Sequence, residues 1–108
     1  MENIKKSAAQ TERVQLRPQG IKSCAEKELA RMEKVFKKLE IKNNSKKSAE
    51  FYDFAKRYFE DGKYFYEKKK YIEAFEAEII AWAYIDTGLK LGFFSVPKEL
   101  KGNFTAKD

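Results

Sequence analysis

The 108-residue sequence contains no histidine, a single cysteine and no long apolar run. Each absence removes a class of function. Without histidine the chain lacks the usual general base, the commonest metal ligand and half of every Ser/His or Cys/His nucleophile pair. Cys24 has no second cysteine with which to close an internal disulfide, which fits a reducing compartment. No stretch of about 18 apolar residues is present to span a membrane. The amino terminus, Met1-Glu2-Asn3, lacks the apolar stretch of a signal peptide, so the expected location is cytoplasmic, away from membranes. The carboxylates form no metal-ligating cluster: Glu78 and Asp86, eight residues apart, would be separated by about 12 Å along a helix. No metal, cofactor or catalytic constellation is therefore expected, and the chain does not read as an enzyme.

What the chain does have is aromatic rings in one place and positive charge in another. The segment from Phe51 to Phe94 contains every aromatic residue except Phe36 and Phe104. The net charge of +6 lies elsewhere. Residues 1–50 carry thirteen Lys/Arg against seven Asp/Glu, whereas residues 51–108 carry ten of each. Any electrostatic partner should meet the first half of the chain.

The length suits one domain with one core, and the periodicity predicts an all-α antiparallel three-helix bundle over residues 21–96. Residues 1–20 mix Lys, Gln, Ser and Arg around scattered Ile4, Val14 and Leu16. They read as a flexible basic tail, closed by the helix-breaking run Arg17-Pro18-Gln19-Gly20. A first helix is expected over 23–40, with Ser23 as N-cap and Glu26 completing a capping box. Its apolar stripe is Ile21, Ala25, Leu29, Met32, Phe36 and Leu39. After the turn-forming Lys42-Asn43-Asn44-Ser45, a second helix is expected over 46–69. Its buried face should carry Phe51, Phe54, Ala55, Tyr58, Phe59, Gly62, Phe65 and Tyr66. A third helix is expected over 71–91, stopped by Gly92. Its narrow polar face is Glu73, Glu76, Ala83, Thr87 and Lys90. Most of its circumference is apolar, which makes it the central element. Residues 97–108 read as a C-terminal tail that frays after Lys101.

Gly62, Phe65, Tyr71, Ala74 and Ala81 follow part of the tetratricopeptide rhythm. The pattern breaks at Glu78, and no further copy occurs near the required period of about 34 residues. Generic helix-hairpin packing accounts for the match. Glu78 is the anomaly, a carboxylate on the apolar stripe among Tyr71, Ala74, Ala81, Trp82 and Ile85. A buried carboxylate must be hydrogen-bonded, paired or protonated. Glu78 is therefore expected to be a buried polar anchor, with Tyr58 as the nearest donor and Tyr71 or a lysine as alternatives.

Two surfaces stand out as candidates for binding. Lys27, Arg31, Lys34 and Lys38 form a basic stripe opposite the apolar stripe of the first helix. They could follow a phosphate backbone with a log–log salt slope of roughly −3 to −4. Few aromatic residues interleave with them, so base stacking is unsupported. Tyr64 is expected to face water beside Arg57 and Lys68. Cys24 opens the predicted first helix, where the helix dipole could lower its pKa, but no other catalytic group accompanies it. The leading expectation is a non-catalytic protein-binding or scaffold module whose partner is another protein. The alternative is a nucleic-acid or ribonucleoprotein accessory that binds phosphates weakly and non-specifically.

The stretches Tyr71-Ile72-Glu73-Ala74-Phe75-Glu76-Ala77-Glu78 and Ala83-Tyr84-Ile85-Asp86-Thr87-Gly88-Leu89-Lys90-Leu91-Gly92-Phe93-Phe94-Ser95-Val96 resemble the archaeal family known as domain of unknown function 357. Asp86, Gly88 and Gly92 stand in matching places, while Ile85, Thr87 and the basic residues before position 20 depart from the pattern. The resemblance covers Phe51 to Val96 and, more loosely, the first helix. It implies a three-helix, spectrin-repeat-like bundle and brings no assigned activity with it. The chain also resembles an archaeal helical family of nucleotide-binding or ribonuclease proteins, which depends on an Arg…His motif. With no histidine in this chain, that activity does not transfer.

Overall fold

Three helices arise where the apolar periodicity places them. The computed structural model describes residues 18–106: α1 Pro18–Lys38, β1 Glu40–Ile41, α2 Lys46–Glu67, α3 Tyr71–Lys90, β2 Phe94–Ser95 and a 3-10 helix Lys98–Asn103. Helix α3 packs along both α1 and α2, which meet one another less extensively. The expected central role of the third helix is therefore what the chain adopts. The expected basic tail before residue 18 lies outside the described residues.

The first helix differs from the expectation at its start. Pro18-Gln19-Gly20 continue α1 rather than break it. A proline is compatible with a first helical turn because the N–H it lacks would have no intrahelical acceptor there. Ser23 consequently sits inside the helix and caps nothing. Glu26, its expected capping-box partner, instead accepts a 2.6 Å hydrogen bond from the Tyr66 hydroxyl of α2. Ile21, Ala25 and Met32 are buried as expected, together with Val35.

Helix α2 begins where its turn residues dictate. The Ser45 backbone N–H donates to Asn43 Oδ1 at 2.7 Å, and the Ser45 hydroxyl accepts from the Ser48 N–H at 3.1 Å. This side-chain cap satisfies one of the free N–H groups of the first turn. The helix ends two residues before the expected position, in a turn that reverses directly into α3. Lys69 adopts φ 63°, Lys70 N–H bonds back to Phe65 O, and Lys69 N–H bonds to Tyr66 O. That is a Schellman motif with lysine where glycine is usual. Gly92 occupies the same position after α3, with φ 77°, and Phe93 N–H bonds to Gly88 O at 2.8 Å. Its expected role as a stop signal holds.

Two details had no counterpart in the helical periodicity. Glu40 pairs with Ser95 and Ile41 with Phe94 in a short antiparallel ladder that joins the α1–α2 connection to the segment after α3. The C-terminal segment is also docked rather than frayed. Trp82 Nε1 donates to Asn103 O at 2.7 Å, and its indole stacks on Phe104 with centroids 6.0 Å apart. Leu100 is buried in the main core with Phe94 and Val96.

The aromatic residues of the hairpin mostly pack against each other. Phe51 makes edge contacts with Tyr84 and Phe93 at 5.7 and 5.3 Å, and Phe59 stacks on Phe36 of α1 at 4.9 Å. Phe54 departs from the expected buried face and stays exposed, with the Arg57 guanidinium 5.5 Å above its ring.

Candidate functional site

Glu78 is sealed in the interior, 1% exposed, as its position on the stripe predicts. The expected hydrogen bond from Tyr58 does not form, because neither carboxyl oxygen of Glu78 has a partner. The reason is helix register. Gly62 of α2 faces Glu78, so in an antiparallel hairpin Tyr58, one turn earlier, faces a later part of α3. Its ring stacks there on Tyr84, 6.1 Å between centroids. With no donor among the described residues, protonation is the remaining solution. Burial drives the Glu78 pKa from 4.5 to about 9, reinforced by the negative charges of Glu60, Glu28 and Glu33 and opposed by Lys63. The result is a neutral acid in the helix interface, inaccessible to any substrate.

Asp86, placed at the stripe edge by the sequence, performs a structural task that its spacing does not reveal. It is buried and accepts from the Thr105 backbone N–H at 2.9 Å, the Thr105 hydroxyl at 2.5 Å and the Ala106 N–H at 3.1 Å. Lys90 lies 3.5 Å away, one turn along α3. Burial alone would raise its pKa, but the Thr105 hydroxyl, the two backbone donors and Lys90 outweigh it and hold the group below its ordinary 3.8. Asp86 is the pin of the C-terminal clasp. Among the described residues, no group of three or more His, Cys, Asp and Glu could hold a metal ion.

The basic stripe lies together on one face of α1, bordered by the 3-10 helix. Lys27, Arg31 and Lys34 line an open cleft with Glu99, Leu100 and Asn103. Two of the four cations are already engaged: Arg31 pairs with Glu28 at 2.8 Å, and Lys38 with Glu99 at 3.0 Å. Lys27 and Lys34 have no acidic partner among the described residues. Cys24 is an exposed free thiol well inside α1, beyond the first turn where the helix dipole acts. Tyr64 is exposed, with Lys68 5.5 Å above its ring as expected, while Arg57 turns to Phe54 instead.

A surface the periodicity concealed lies on α3. Its apolar circumference exceeds what α1 and α2 cover, so Ile79 and Ile80 remain 37% and 39% exposed. With Phe51, Ala83, Tyr84 and Thr87 they line a shallow apolar depression, and Phe75 extends it along the helix. The run Ile79-Ile80 within an almost wholly apolar helix was the available signal. An all-round apolar helix implies burial on every side, and here one side has no cover among the described residues.

Residues 22–94 match the family described as protein of unknown function (DUF357). This chain belongs to that family. The crystal structure of the DUF357 protein AF1782 from Archaeoglobus fulgidus superposes with a TM-score of 0.64 at 28% sequence identity. The match covers 74% of this chain and 97% of that one. No curated protein matches. The DUF357 match contains α1 from Lys22 onward, the aromatic hairpin and Glu78, and ends at Phe94. The clasp that Asp86 pins therefore follows the matched region. Among the described residues, no helix is long and apolar enough to cross a membrane.

Proposed function

We propose that this DUF357 chain is a non-catalytic protein-binding module whose contact face is the uncovered side of α3 with the adjoining rings of α2. The observation that carries this reading is the adjacent exposure of Ile79 and Ile80 beside Phe51 and Tyr84. Scattered apolar residues on a surface are ordinary, but a contiguous apolar strip is characteristic of an interaction site. The absence of histidine and the sealing of Glu78 support a role without catalysis. An exposed lone thiol at Cys24 suits a reducing compartment, so a cytoplasmic location belongs to the same proposal.

The test compares the wild-type protein with the double variant Ile79→Asp/Ile80→Asp as baits in nuclease-treated native lysate, read by mass spectrometry. Circular dichroism verifies that the variant is folded. Nuclease-resistant partners retained by the wild type and lost by the variant are expected. Identical capture by both proteins, or no partner that survives nuclease, would refute the reading.

The phosphate-binding alternative retains one favourable observation, that Lys27 and Lys34 at the cleft between α1 and the 3-10 helix have no acidic partner among the described residues. The ion pairs of Arg31 and Lys38 weaken it. With two free cations rather than four, the log–log salt slope on RNA or DNA falls to about −2.

A further inference from the structure

We propose that the occupant of the uncovered α3 face is a second copy of this chain, docked antiparallel across a two-fold axis between Ile80 and Ala83. This inference rests on the protein-binding reading above and names its partner.

The outermost line of α3 consists of Glu73, Glu76, Ile80, Ala83, Thr87 and Lys90, all exposed. Their separations alternate three, four, three, four, three, which is the spacing of a coiled-coil seam. The middle of the line, Ile80 and Ala83, belongs to the apolar depression with Phe51, Ile79 and Tyr84, so its centre is apolar and its ends are charged. Its chemistry is ordered along the axis: two acids at the start, an isoleucine and an alanine in the middle, a threonine and a lysine at the end. A parallel copy would set Glu73 against Glu73 and Lys90 against Lys90. An antiparallel copy reverses the order and places Glu73 opposite Lys90 of the partner, Glu76 opposite Thr87, and Ile80 opposite Ala83. The central layers then alternate a large side chain with a small one, which lets the two helices approach closely.

A two-fold interface must be self-complementary, since each residue meets its counterpart's mate twice. This seam satisfies that condition in both charge and size. Glu73 in the first turn of α3 and Lys90 in its last also suit the helix dipole, and an antiparallel copy is the arrangement that brings these opposite ends together. Ile79, Phe75 and Tyr84 flank the seam and add apolar area beside it. Lys90 keeps its side chain half exposed while lying 3.5 Å from Asp86, so its ammonium group has donors to spare for a carboxylate of the partner.

Sedimentation equilibrium on the full chain, from low to high micromolar concentration, tests the inference, with circular dichroism confirming that every variant is folded. The wild type should form a dimer, and Ile80→Asp should be monomeric. Glu73→Lys and Lys90→Glu should each weaken self-association by at least about tenfold, because each places two like-charge pairs in the interface. The decisive result is the mixture of these two single variants. In an antiparallel heterodimer both pairs become attractive again, and native mass spectrometry should find the heterodimer in preference to either homodimer. A wild type that stays monomeric throughout, or a mixture that forms no heterodimer in excess, overturns the second-copy inference. The broader reading fails separately, if the Ile79→Asp/Ile80→Asp bait captures what the wild type captures or if no partner survives nuclease.

Discussion

The Glu78 carboxyl occupies the space that a side chain at Gly62 would need. A Cβ built on Gly62 would collide with Glu78 Oε2 and crowd its Cδ and Cγ. The glycine in mid-helix thus accommodates the acid on the facing helix. Glycine costs a helix interior about 1 kcal/mol relative to alanine, so Gly62→Ala would be stabilising on propensity alone. The steric term has the opposite sign and should win, because Glu78 is enclosed. Gly62→Ala is expected to lose about 1–3 kcal/mol in urea unfolding. Combined with Glu78→Ala, much of that loss should be recovered, giving a coupling energy of about 1 kcal/mol or more. Additive losses in the double variant would show that the two residues do not share this space.

Glu78 also predicts how stability responds to pH. Its folded-state pKa, about 9, lies above its ordinary 4.5, so the folded chain holds a proton that the unfolded chain releases. The associated stability is fully present below pH 4.5 and is lost progressively as the pH rises towards 9. The slope is at most about tenfold in the folding equilibrium per pH unit. Glu78→Gln should remove that slope and match or exceed the wild type at pH 8. Glu78→Leu should raise stability further at pH 8, since no hydrogen bond is lost with the carboxyl. Chemical denaturation at pH 5, 7 and 9 checks all three proteins. A wild type whose stability rises between pH 5 and 9 relative to Glu78→Gln would contradict a neutral buried acid.

The readable parts of this fold share a physical origin. Ile21, Ala25 and Met32, or Ala74, Ala81 and Ile85, repeat with the helical period and become buried for that reason. The same periodicity brought Glu78 inside and centred α3. It did not show that Tyr58 would miss Glu78, because that depends on the register between α2 and α3, set by the contact at Gly62. Nor did it reveal the Asp86 clasp, whose donors lie on the Thr105 and Ala106 backbone and in one hydroxyl. Such groups carry no hydrophobic pattern. The exposed Ile79-Ile80 strip was hidden for a third reason: an apolar face looks the same in a sequence whether its cover belongs to the same chain or to another.

The α2–α3 turn holds a residue in a costly conformation. Lys69 adopts φ 63°, a left-handed geometry that strains any residue with a Cβ, whereas the equivalent position after α3 is Gly92. Lys69→Gly should therefore stabilise the protein by about 1 kcal/mol, seen as a higher urea midpoint with an unchanged slope. A lower midpoint would mean that Lys69 contributes interactions exceeding its backbone strain.

The clasp at Asp86 can be opened by a substitution that removes no apolar side chain from the core. Its carboxylate holds three donors from residues 105 and 106, and an amide in its place would turn one acceptor oxygen into a donor facing them. Asp86→Asn is expected to cost about 1–3 kcal/mol and to release the C-terminal segment first. Trp82 reports that step directly, because its indole N–H donates to Asn103 O and its ring lies on Phe104. Acid should mimic the substitution. The Asp86 pKa is held below 3.8 in the folded chain, so its contribution is present above that pH and lost as the pH falls through the lower folded-state value. The expected observation is a change in tryptophan fluorescence below about pH 3.8, before far-ultraviolet circular dichroism shows loss of helix. In Asp86→Asn the fluorescence should already be changed at neutral pH and insensitive to that titration. Fluorescence and helix content lost together in the wild type would show that the clasp is not a separate unit but part of the cooperative bundle.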